Sequence, residues 1–124
     1  MTGQEKPLEA ARSAADAIRF LNHTIRPGLA TEGVIDVTDL YDLLAELALL
    51  TSRLPQLLRQ VEDILDDLTD HHQVHIVAGD HEGDPVAIAA ITGHWLAASA
   101  GAAHELASRV DQAQQNLTWA APAD

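Results

Sequence analysis

The chain has no cysteine. Disulfides, thiolate nucleophiles and Cys-based zinc or iron–sulfur sites are therefore excluded. Basic residues are also scarce: Lys and Arg number 7 against 19 Asp and Glu, giving a net charge of −12 at pH 7. A phosphate backbone demands a cationic footprint, so no direct nucleic-acid binding is expected. Aromatic residues make up only 3% of the 124 residues. A core filled by Leu and Ala favours helices over strands, which draw on β-branched and aromatic side chains. The first residues, Met1 to Pro7, hold no apolar run. No secretory signal is visible there, and a cytoplasmic location is expected. The Ala-rich, Arg-over-Lys usage is associated with GC-rich bacterial genomes.

What the chain does have is a long apolar repeat. Leu40, Leu43, Leu47, Leu50, Leu54, Leu57, Val61, Ile64 and Leu68 alternate in steps of three and four without a slip. Such a heptad stripe is the signature of a helix lying along a partner helix, as in a coiled coil. Before it, Leu8, Ala11, Ala15, Ile18, Leu21 and Ile25 mark a first helix over about 7–24, with Pro7 suited to its first turn and Pro27-Gly28 ending it. Residues 1–5 are expected to fray, and 26–37 to form a loop. The stripe helix is expected over about 38–72 with a kink at Pro55, since a mid-helix proline costs about 3 kcal/mol. Asp84-Pro85 is a strong start signal for a last helix over about 85–117. Its expected inner face is Ile88, Ile91, Trp95, Ser99, Ala102, Leu106, Val110, Ala113 and Leu117, with Gly93, Ala97 and Gly101 providing a small-residue groove for the leucines. Trp119 and the Ala/Pro tail are expected to fold back or fray. Val86 to Ala103 carries no Asp, Glu, Lys or Arg. Its Ala, Gly and His content favours a helix buried among protein neighbours over a membrane span.

The expected fold is thus all-α: one helical-bundle domain over 1–124, with a short N-terminal helix and a long antiparallel hairpin. One short helix cannot cover two long ones, so dimerisation is expected to complete the bundle. Leu44, Leu49, Leu58 and Leu65 widen the stripe, and Leu44, Leu58 and Leu65 together with Trp95 are then the expected interface positions. The alternative is a compact four-helix monomer folded back at Pro55.

Candidate chemistry is sparse. His71, His72, His75 and His81 crowd one short segment among acids. If the helix persisted, Asp67, His71 and His75 would share a face at i, i+4 and i+8, a spacing that suits zinc or another transition metal. The competing reading is histidines drawn to a helix C-terminus by its dipole. No metal or cofactor is assigned. Glu62, Asp63, Asp66, Asp67 and Asp70 form an acidic strip that could mimic a row of phosphates for a basic DNA-binding protein, or simply be a solvated face. No Gly-x-Ser-x-Gly elbow or glycine-rich phosphate loop occurs, and no catalytic residue is assigned. The sequence therefore points to a non-enzymatic interaction or regulatory protein that self-associates and binds a protein partner. A metal-binding bundle using the His71–His81 region comes second, and an acidic inhibitor third.

Overall fold

The computed structural model describes residues 6–123, so the expected fray of residues 1–5 lies outside it. The fold is all-α, with helices α1 (Lys6–Thr24), α2 (Gly28–Thr31), α3 (Val37–Asp70) and α4 (Pro85–Gln115), and no strand among the described residues. The chain divides into two compact units, Met1–Asp36 and Val37–Asp124.

In the first unit, α1 ends near Thr24, whose hydroxyl donates back to the Phe20 carbonyl at 3.0 Å. The stretch 26–37 is not all loop, because α2 forms one turn within it. Sequence patterning misses so short a helix. Its end is a Schellman motif: Val34 N–H donates to the Leu29 carbonyl at 2.9 Å and Gly33 N–H to Ala30 at 3.1 Å. Gly33 takes the left-handed φ of 75° that this motif needs. Arg26 spans the turn and donates twice to the Glu32 carboxylate, at 2.6 and 2.8 Å.

The second unit is a helical hairpin. Helix α3 runs unbroken through Pro55, which excludes the alternative folded back at that residue. It stops at Asp70, two residues short of the expected end. The stop is again a Schellman motif: Gln73 N–H donates to Leu68 at 2.8 Å and His72 N–H to Thr69 at 3.1 Å, with His72 in the left-handed region at φ 57°. The linker then turns on Gly79 and Gly83, both at positive φ, and Gly83 N–H reaches the Ile76 carbonyl at 2.9 Å. Helix α4 starts as its sequence demands, with the Asp84 carboxylate accepting from Ala87 N–H at 3.1 Å and Pro85 following it.

Helix α3 packs along α4, but its most buried residues lie on a stripe other than the leucine one. The residues of α3 that lose solvent include Val37, Tyr41, Leu44, Ala48, Thr51, Pro55, Leu58, Glu62, Leu65 and Thr69, with Thr51 and Pro55 buried outright, and Leu43, Ala45, Leu47 and Leu54 beside them are half-buried too. Leaving aside those four neighbours, the remaining positions form a second heptad stripe, one residue C-terminal to the first. Opposite lie Ala89, Gly93, Ala100 and Ala103, all buried. Two contacts set the register. A Cβ on Gly93 would stand 3.1 Å from Glu62 Oε2, and Ala48 and Ala107 line a common groove. The second pair lies fourteen residues from the first along each helix, as antiparallel pairing requires.

This corrects the expected inner face of α4. Ile91, Trp95, Ser99, Ala102, Leu106 and Ala113 are exposed, as are Ala97 and Gly101 of the supposed groove. The physical reason is size. Small residues dominate the most buried positions of both helices, which favours close approach, and most leucines of the first stripe are turned aside.

Candidate functional site

The largest candidate surface follows from that rotation. Successive residues of an α-helix advance by about 100°. The leucine stripe stands one residue before the packed stripe of α3, so it lies about 100° around that helix. On α4, Ile91, Trp95, Ala102 and Leu106 stand one residue before Thr92, Leu96, Ala103 and Ala107, which are buried or half-buried. Because the helices are antiparallel, the same rotation on both carries the two rows to one side of the hairpin.

The opposite side gives an independent check. Ala45, Leu49 and Ser52, one residue after the packed stripe of α3, line a single groove with Asp111, one residue after Val110 on α4. The hairpin therefore has two distinct sides, an outer one carrying the leucine row and one carrying this groove.

Six of the nine stripe residues are exposed: Leu40, Leu50, Leu57, Val61, Ile64 and Leu68. Leu43, Leu47 and Leu54 are half-buried. Ile64 keeps 59% of its surface, Leu57 53% and Trp95 64%. No large side chain is fully buried among the described residues, and the buried apolar side chains are Ala89, Ala100, Ala103 and Pro55. Ordinary folded chains expose apolar residues singly. Here they line up in two rows.

The sequence-derived interface residues divide. Leu44, Leu58 and Leu65 are half-buried on the stripe that faces α4. Trp95 lies on the outer side with its ring edge-on to His94, centroids 5.4 Å apart. The leucine stripe itself was legible in the sequence, but as the hairpin seam instead of the outer face. The signal that separates the two is the run Ala48, Thr51, Pro55, whose small or compact side chains match the alanines of α4.

The histidines do not converge. Left-handed His72 ends the helix between His71 and His75, so the i, i+4, i+8 relation with Asp67 is broken. His71 Nδ1 lies 2.7 Å from the Asp67 backbone carbonyl. His72 and His75 border an open depression of about 250 Å³ with Val74, Ile76, Gly83 and Pro85. Among the described residues no group of three or more His, Asp or Glu is placed to hold a metal. The acidic strip also changes. Glu62 is half-buried against Gly93, while Asp63, Asp66, Asp67 and Asp70 are exposed. Helix α4 is long and apolar enough to cross a membrane by length and composition, with a mean hydropathy of 1.4 over its most apolar 18 residues.

No protein-family model, curated protein or solved structure matches this chain.

Proposed function

We propose that this chain is a non-enzymatic interaction or regulatory protein that works by binding helical protein surfaces, its own kind included. The observation that carries the reading is the nine-position leucine stripe, unbroken in register, of which six positions stay exposed on the hairpin that contains it. A strict heptad repeat suits a partner helix, and large exposed apolar patches mark interaction sites. The hairpin packs mainly through a different stripe, so the exposed members of the leucine row are open to a partner.

The test is affinity capture with chemical cross-linking from host lysate, comparing the wild-type chain with Leu57→Asp/Ile64→Asp. The expected result is at least one protein whose cross-links map to the stripe and vanish with the double variant. The same proteins captured by both forms, or none by either from a chain that also fails to self-associate, would overturn the reading.

A further inference from the structure

We infer that a second copy of this chain covers the outer face, so that two hairpins close into a four-helix bundle. The inference rests on the reading of the chain as an interaction protein and names the occupant of that surface. Three observations single out a second copy.

The first is dimension. The stripe from Leu40 to Leu68 is about 42 Å long, and the row on α4 makes the face two helices wide. Helix α1, at 19 residues, is roughly 28 Å long and one helix wide. It cannot cover the face alone. Another hairpin of the same chain matches it in both directions.

The second is area. Leu40, Leu50, Leu57, Val61, Ile64, Leu68, Ile91, Trp95 and Leu106, weighted by their exposures, offer on the order of 800 Å². That is about what each partner gives to a standard interface.

The third is charge. Each copy carries −12, so two copies meet at least electrostatic cost where the contact surface itself carries no carboxylate. The leucine stripe contains none. Asp63, Asp66 and Asp70 stand one residue beyond the packed stripe, on the groove side with Asp111, and Asp39, Glu46 and Asp67 stand one residue before Leu40, Leu47 and Leu68, at the edge of the face. Burying aliphatic surface between the copies supplies the driving force, and four helices around a shared core is a stable solution for two such hairpins.

The experiment uses full-length protein carrying Trp119→Phe, so that Trp95 alone reports. Emission and mass by sedimentation are followed from tens of micromolar to nanomolar. The expected result is twice the 13.3 kDa chain mass with blue-shifted emission, both reverting on dilution. Adding Leu57→Asp and Ile64→Asp weakens association more than about tenfold and leaves Trp95 water-exposed. The dilution series needs no stripe variant, so a misfolded double variant would not rescue the idea. Four outcomes overturn it. A monomer with blue emission at every dilution means the face is covered within one chain. A monomer with red emission means it is uncovered. Association that survives both Asp changes uses another surface. A monomer that floats with phosphatidylcholine vesicles has a lipid-binding face. A monomeric wild type that still captures a helical partner through the stripe would defeat this inference and leave the interaction reading standing.

Discussion

Arg26 and Glu32 meet through two charge-assisted hydrogen bonds, and that contact fixes a direction of titration. The guanidinium holds the Glu32 carboxyl below the usual glutamate range, and slight desolvation works weakly the other way. A depressed folded pKa means that the pair's contribution is present above the unfolded value and is lost as pH falls through the folded one. Both groups are open to solvent, so the effect is local and screened by salt. A carboxyl NMR titration should place Glu32 below ordinary glutamates, and Arg26→Ala should return it to them. An unchanged inflection in that variant would mean that the contact does not persist in solution. His72 makes a sharper case. A β-carbon in the left-handed region costs roughly 1–2 kcal/mol, and glycine is the residue this C′ position favours. His72→Gly should therefore stabilise the hairpin by about 1 kcal/mol in urea unfolding. A destabilised variant would show that the imidazole contributes more than the backbone strain removes.

The helices repeat the logic on a larger scale. Asp84→Ala removes the cap from Ala87 N–H and should cost about 1 kcal/mol. Gly101 sits mid-helix, and a β-carbon added there would meet nothing within 4 Å, so Gly101→Ala should gain up to about 1 kcal/mol. Gly93→Ala should gain less, because the new methyl meets Glu62 at 3.1 Å and its carboxylate must swing aside. Thermal melts of the three variants give the order directly; equal gains at Gly93 and Gly101 would contradict the close contact. These elements also mark what was legible in sequence. The three long helices follow from three-and-four spacing and from the Asp84-Pro85 signal, because local chemistry alone sets them. The side of α3 that meets α4 does not. Two apolar stripes run one residue apart, and hydrophobicity ranks the leucines first. Packing distance instead selects Ala48, Thr51 and Pro55, and that choice depends on α4 as much as on α3. The end of α3 fell close to its expected place, but the form of the stop was not legible, since His72 occupies a position where glycine is the usual sign. The metal-ligand spacing of Asp67, His71 and His75 failed at that stop, since it required the helix to continue.

For the whole molecule, charge and apolar surface pull in opposite directions, and salt separates them. A chain of net charge −12 repels its own copies. At low ionic strength that repulsion extends over tens of ångströms; at 0.1 M it is cut to about 10 Å. Burial of the outer face is a hydrophobic process and does not weaken when salt screens charge. Self-association through that face should therefore strengthen between about 20 mM and 500 mM sodium chloride, ranges that span Debye lengths from tens of ångströms to a few. Sedimentation equilibrium at the two salts measures it. A basic partner held by Asp63, Asp66, Asp67 and Asp70 behaves in the opposite way, because each ion pair it forms is screened as salt rises. Thermal stability should follow the same sense: if folded copies associate, the melting temperature rises with protein concentration, and rises further in high salt. Self-association that weakened steadily with salt would mean that ion pairs join the copies, and the leucine stripe would then need another occupant.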